Sequence, residues 1–122
     1  MPNKFVTVTV DRPLGSSHPQ YPDLYYPVNY GYIPGVFGGD GEEQDVYLLG
    51  INEPVKEADC RVIGVVHRKN DDEDKLIAAT EGMLFSGPEM EEAVRFQEQY
   101  FDTDVIALSD KPDFDARYEG RA

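Results

Sequence analysis

Carboxylates gather at two places in this chain, and grouped hard oxygen donors are what a hard divalent cation requires. The first group is Asp40, Glu42, Glu43 and Asp45, which follows Gly38 and Gly39 and leads into the apolar run Val46 to Leu49. Glycines before it let the backbone take positive φ and approach a ligand closely. The second group is Asp71, Asp72, Glu73 and Asp74, between Asn70 and Lys75. Each group alone is also the composition of an ordinary solvated turn. One acidic turn binds Mg2+ weakly, whereas two turns meeting at the mouth of a barrel would hold several ions. A third set is cationic and phenolic: Arg12, Lys75, Tyr26, Tyr30, Tyr32 and Tyr100. Arginine grips phosphate as a bidentate fork and lysine as a point charge. Beside so many acids, both also serve as plain ion-pair partners, and tyrosines are often half-buried core. His18, His67 and Cys60 stand apart in sequence and lack zinc-site spacing. No P-loop, nucleophile elbow or dinucleotide fingerprint is present.

The chain around these groups has 122 residues, enough for one domain over 1–122 with a modest core. Its 24 acids against 11 bases give a formal charge of −13. That balance speaks against a nucleic-acid surface, which wants a basic stripe, and against anionic membranes. It would also repel a small anionic substrate unless bound cations inverted the local field. The single cysteine leaves no internal disulfide and fits a reducing, cytoplasmic setting. Neither a basic-then-apolar leader nor a membrane-length apolar run is expected.

The elements that must position the candidate residues are short. Phe5 to Val10 alternates, with Val6, Val8 and Val10 on one face, and is read as a strand ended by Asp11, Arg12 and Pro13. Leu14 to Asp23 is rich in Ser, Pro and Gly and reads as loop. Turns are expected at Pro34-Gly35 and Gly38-Gly39. Strands follow over Asp45 to Gly50, Cys60 to Arg68 and Lys75 to Thr80, with Gly64 a bulge or barrel bend. Ser86 and Glu89 have capping-box spacing with Pro88 near the first helical position, so a helix runs from there to about Phe101. Met90, Ala93, Val94, Gln97 and Phe101 form its apolar stripe. Asp104 to Leu108 is a last short strand, and 109–122 a loosely held tail. Many short strands with one or two helices predict a mainly β fold, a small antiparallel barrel and not a βαβ sheet.

The segments Tyr26 to Pro34 (YPVNYGYIP), Asp40 to Val46 (DGEEQDV), Cys60 to Val66 (CRVIGVV) and Glu73 to Ala79 (EDKLIAA) resemble the soluble family I inorganic pyrophosphatases, in the family's order and nearly at its spacing. Arg95 to Tyr100 (RFQEQY) is similar to the family's late helix. The resemblance covers roughly Phe5 to Asp102. It implies a five-stranded OB-like barrel and hydrolysis of pyrophosphate to two phosphates with Mg2+, or Mn2+, as cofactor. On the same resemblance Asp40 and Asp45 hold metal, and Asp45 also helps position the attacking water. Glu42 stands where an aspartate helps deprotonate that water. Glu73 and Asp72 (or Asp71) complete the metal set, and Arg12, Tyr30, Lys75 and Tyr100 contact phosphate. Bacterial members of the family form hexamers, so a homo-oligomer is implied as well.

Four positions depart from the family. Its N-terminal hairpin, which carries a lysine, has no counterpart before Phe5, and Leu14 to Asp23 adds loop where the family is tight. Phe101 replaces a phosphate-binding lysine, and two metal-site aspartates have become Glu42 and Glu73. A longer side chain displaces its carboxylate by about one bond, enough to cost roughly 100-fold where positioning matters. Two other outcomes therefore stand beside pyrophosphate hydrolysis. One is a pyrophosphatase-like barrel that binds metal or phosphoanions without turnover. The other is a hydrolase of another phosphorylated small molecule, its pocket reshaped by the 14–23 loop.

Overall fold

The computed structural model describes residues 5–38, 41–69, 74–80, 83 and 85–108. Six strands and one helix follow in order: β1 (Phe5–Arg12), β2 (Asn29–Phe37), β3 (Glu43–Leu49), β4 (Glu57–Arg68), β5 (Asp74–Ala79), α1 (Gly87–Glu98) and β6 (Thr103–Ala107). The sheet runs β1-β2-β3-β5-β4-β6, and a further β1–β4 pairing closes the first five strands into a barrel. Strand β4 is long enough, at 12 residues, to serve two neighbours. Its first half pairs with β1 and its second half with β6. The expected OB-like barrel is present, antiparallel except that β3 and β5 run parallel, from Val46 opposite Leu76 to Leu49 opposite Ala79.

Alternation along the strands divides the apolar residues between two cores. Val8, Ile33, Val46, Leu48, Cys60, Val65, Leu76 and Ala78 come from all five strands and fill the barrel. Tyr47, Leu49, Ile63, Val66, Ile77 and Ala79 point to the other face, where Met90 and Val94 of α1 cover them. Strands buried on both faces read as unbroken apolar runs, which is why VYLL and LIAA carry no polar spacing. Burying Met90 and Val94 contributes about 1.5–3 kcal/mol each.

Glycine permits the closest approaches. A Cβ on Gly64 would lie 2.7 Å from the sulfur of Met90 and 3.2 Å from the carbonyl oxygen of Ile106, so a larger residue there would force the Met90 side chain to shift. The ladder between β4 and β5 shifts register between Val62 and Gly64, the bulge expected at this glycine. A Cβ on Gly31 would fall 1.9 Å from the carbonyl oxygen of Thr9, inside the backbone of β1.

Two local expectations are corrected. Pro34-Gly35 does not turn the chain: β2 continues to Phe37, and the register break between Ile33 and Phe37 absorbs the pair, with Gly35 at φ +81°. The reversal comes later, where the Gly38 N–H donates to the carbonyl of Glu42 at 2.9 Å. The helix has its capping box, Ser86 Oγ accepting from the Glu89 N–H at 3.2 Å and Glu89 Oε1 from the Ser86 N–H at 2.7 Å. It ends at Glu98, however, and Phe101 follows it as an exposed residue. The buried stripe is Met90, Val94 and Glu98. The 14–23 segment is the expected loop, pinned by one isolated bridge into a miniature hairpin. Ser17 and Tyr25 form a bridge, the Gly15 N–H donates to the carbonyl of Tyr26, the Tyr26 N–H to that of Ser16, and the His18 N–H to that of Leu24. The expected tail, 109–122, lies outside the described residues.

Candidate functional site

A cleft of about 910 Å³ opens where the starts of β3 and β5 meet the C-terminal end of α1. It lies on the sheet face that α1 covers, not in the mouth of the barrel. Parallel pairing sets β3 and β5 off from the same end, so Asp45 and Lys75 come together: Lys75 Nζ donates to Asp45 Oδ2 at 2.7 Å. Gln44 Nε2 ties the same strand starts by donating to the carbonyl of Asp74 at 2.6 Å. Lys75 also sits 5.8 Å from the ring centre of Tyr30.

Strand β1 enters through an irregularity. Its ladder to β2 shifts register between Val10 and Arg12, which interrupts strict alternation, and both Asp11 and Arg12 line the cleft. Bulges re-aim side chains in this way. Burial pushes the Asp11 carboxyl above its ordinary value and the charge of Asp45 adds to this, against the opposing pull of Arg12 and of its own backbone. Burial likewise raises the Tyr26 phenol, against the opposing charge and hydrogen bond of Arg12.

The far wall belongs to α1 and the turn after it. Gln97, Tyr100 and Phe101 line the cleft there together with Arg68 from the end of β4. Arg68 is fixed by Glu98, donating from Nε to Oε1 at 3.0 Å and from NH2 to Oε2 at 2.7 Å, and its guanidinium lies 3.7 Å from the ring centre of Phe101. Burial opposes the arginine's charge, but the hydrogen bonds and charge of Glu98 outweigh it and hold the guanidinium more firmly protonated than usual. Tyr47 donates to Glu98 Oε2 at 2.5 Å and accepts from Gln97 Nε2 at 2.7 Å, while the Tyr26 hydroxyl donates to Gln97 Oε1 at 3.1 Å. Burial, with the Glu98 charge adding to it, pushes the Tyr47 phenol well above its ordinary value. These bonds form one polar layer beneath the cleft floor.

Of the residues singled out by sequence, the cleft gathers Arg12, Tyr30, Asp45, Lys75 and Tyr100. Glu42 is exposed on the hairpin leading into β3 and is not among the lining residues. Asp40, Asp71, Asp72 and Glu73 lie outside the described residues. Arg68 and Asp11 were not singled out. Arg68 follows an apolar strand and reads as its polar end. Asp11 reads as a strand stop, although alternation sets it on the face opposite Val10, and the register break brings Arg12 to that same face beside Tyr30. Among the described residues no three His, Cys, Asp or Glu side chains are grouped closely enough to hold a metal ion. Asp45 and Asp11 nevertheless bring hard oxygen donors to the cleft, the chemistry that a divalent magnesium-type ion accepts. His67 is apart from the cleft, its Nδ1 2.7 Å from Asp74 Oδ1. Burial holds the Cys60 thiol up at about 12, which rules out a resting thiolate nucleophile.

A family model described as inorganic pyrophosphatase matches residues 3–107. The chain belongs to that family. Curated relatives agree in name: the inorganic pyrophosphatase of Xylella fastidiosa (strain 9a5c) is 36% identical over 69 residues, 52% of this chain and 38% of the relative. That of Aquifex pyrophilus is 38% identical over 60 residues, 45% of this chain and 33% of the relative. The aligned stretches thus span only about a third to two fifths of these relatives' lengths. Solved structures share the fold. The inorganic pyrophosphatase of Ehrlichia chaffeensis superposes with a TM-score of 0.66 at 20% identity, over 87% of each chain. That of Thermus thermophilus gives 0.66 at 19% identity, over 95% of this chain and 92% of its own. No helix among the described residues is long and apolar enough to cross a membrane.

Proposed function

We propose that this pyrophosphatase-family chain hydrolyses inorganic pyrophosphate to two phosphates, with Mg2+ as its cofactor. The observation that carries the reading is the meeting of three cations, Arg12, Arg68 and Lys75, with the carboxylates of Asp11, Asp23 and Asp45 and the phenol of Tyr30 in one cleft of a chain whose net charge is −13. Pyrophosphate resists attack because its own charge repels nucleophiles, so a catalyst must offset that charge where it reacts. Arg12 and Lys75 take phosphate oxygens, Tyr30 adds a hydroxyl, and Tyr100 reaches in from the rim. Asp45, held by Lys75, orients the water that adds to one phosphorus as the bond to the bridging oxygen breaks. Glu42 accepts the water's proton on the family pattern.

Asp45 would hold the metal together with Asp40, Asp72 and Glu73, hard carboxylates that in sequence closely precede β3 and β5. When bound, the ion would lower the pKa of water and screen the phosphate charge. Phosphate release from pyrophosphate should require Mg2+ or Mn2+, stop with chelator and fall at least about 100-fold in Asp45→Asn. Release at the parental rate by Asp45→Asn would defeat the assignment. The exposed position of Glu42, away from the cleft lining, favours a second reading: a barrel that binds phosphoanions without turnover. Calorimetric binding of pyrophosphate with no phosphate released would select it.

A further inference from the structure

A series of rings leads from the protein interior to the cleft's outer lip. Tyr47 is 4.8 Å from Tyr30, Tyr30 is 5.6 Å from Tyr26, Tyr26 is 6.3 Å from His18 with the planes 9° apart, and His18 is 5.1 Å from Tyr21. The first three are buried floor, whereas Tyr21 is 63% exposed although it lines the cleft. An exposed aromatic that packs on little of its own protein is solvated apolar surface, and here it stands beside the phosphate-binding cations.

The miniature hairpin holds these two outer rings in place. Leu14 donates its N–H to Oδ1 of the fully buried Asn29 at 2.9 Å, which pins the hairpin base to β2. The Tyr21 N–H reaches the carbonyl of His18 at 3.3 Å, and the Leu24 N–H reaches that of Tyr21 at 2.8 Å. Nδ1 of His18 accepts from the Gln20 N–H at 3.0 Å, which fixes the imidazole plane. A fixed ring costs little entropy when a ligand stacks on it.

Size points the same way. The cleft's volume of about 910 Å³ falls in the range of roughly 300–1,000 Å³ typical of organic-ligand pockets, and an inorganic diphosphate would fill a small part of it. We propose that His18 and Tyr21 form a stacking platform for a planar group attached to the phosphates, so that the cleft accepts nucleoside diphosphates, the base on the hairpin and the diphosphate on Arg12 and Lys75. The proposal rests on the phosphate-binding reading of the same cleft and extends it to the ligand's organic part.

The test is calorimetry with Mg2+ and two non-hydrolysable ligands that share the diphosphate analogue: methylenediphosphonate and α,β-methylene-adenosine diphosphate. The parent protein should bind the nucleoside compound roughly 5- to 100-fold tighter, the advantage that base stacking confers. Tyr21→Ala should remove most of that preference while leaving methylenediphosphonate binding unchanged, and Tyr21→Phe should keep it. Equal binding of the two ligands by the parent, or a preference that survives in a Tyr21→Ala/His18→Ala double variant, overturns the platform while the phosphate site stands. Binding of neither ligand refutes the phosphate site and the platform with it.

Discussion

Strands β3 and β5 have two faces, and the two have opposite characters. Inward, Val46, Leu48, Leu76 and Ala78 contribute only hydrocarbon to the barrel. Outward, Leu49, Ile77 and Ala79 are apolar under α1, but the series continues towards the strand starts through Tyr47 to Asp45 and Lys75. The outward face thus grades from core to cleft over two turns of the pleat. Its polar members are held by the apolar ones behind them, since Tyr47 is wholly buried and anchors Glu98 and Gln97. One face is hydrocarbon throughout, and the other, by a change of residue type along its length, opens into the polar cleft.

The sharpest way to separate the faces is a matched pair of substitutions on adjacent strands. Lys75→Met keeps the aliphatic stem and removes the charge between Asp45 and the phosphate oxygens. It should lower kcat/KM for pyrophosphate by about 10²–10³, with a smaller stability loss than Leu48→Ala because Asp45, 32% exposed, stays solvated when its partner is gone. Leu48→Ala should do the reverse, costing about 2–5 kcal/mol of stability while the folded protein turns over at the parental rate. If Leu48→Ala lowered activity of the fully folded protein as much as Lys75→Met, the division between the faces would be void.

A second comparison lies at the end of β4, between the exposed pair of Lys69 with Asp102 and the buried pair of Arg68 with Glu98. Arg68→Met leaves the Glu98 carboxylate buried with its cation gone, which should cost about 3–5 kcal/mol in the urea midpoint. Adding Glu98→Gln should recover a large part, because an amide can still accept from Tyr47 without a stranded charge. Lys69→Met should cost below about 1 kcal/mol, as exposed pairs do. Equal losses for Arg68→Met and Lys69→Met would show that Glu98 is not dependent on Arg68.

What could be read in advance follows the range of the forces involved. Val6, Val8 and Val10 announce β1 by period, Gly64 announces its bulge, and Ser86 with Glu89 announces the helix start, all within a few residues. Arg12, Tyr30, Lys75 and Tyr100 were legible as a group only through likeness to a family, since nothing local ties a β1 arginine to a tyrosine beyond α1. Glu98 was unreadable as core because its burial depends on Arg68, 30 positions away, and Tyr47, 51 positions away. Phe101 was assigned to the buried stripe by periodicity, but the helix stops at Glu98 and Arg68 instead lies over its ring. Pro34-Gly35 has the composition of a turn, yet barrel closure keeps β2 paired on either side of it, and a bulge is the compromise.

The smallest expected effect concerns Asp11, which lines the cleft beside the β1 register break. Burial raises its pKa in the fold, so folding favours the protonated acid. The stabilising contribution is complete below the unfolded value of about 3.9 and is lost as pH rises through the higher folded value. At neutral pH the carboxylate is therefore carried at a small cost, which solvent reduces because the side chain is 50% exposed. Asp11→Asn should accordingly melt slightly above the parent at pH 7, and the gap should close as pH falls towards 3. The opposite pattern, a parent more stable at pH 7 with an advantage that fades in acid, would mean that Arg12 outweighs burial and holds Asp11 as an ion pair. The cleft would then keep Arg12 for Asp11, leaving Lys75 to meet the phosphate.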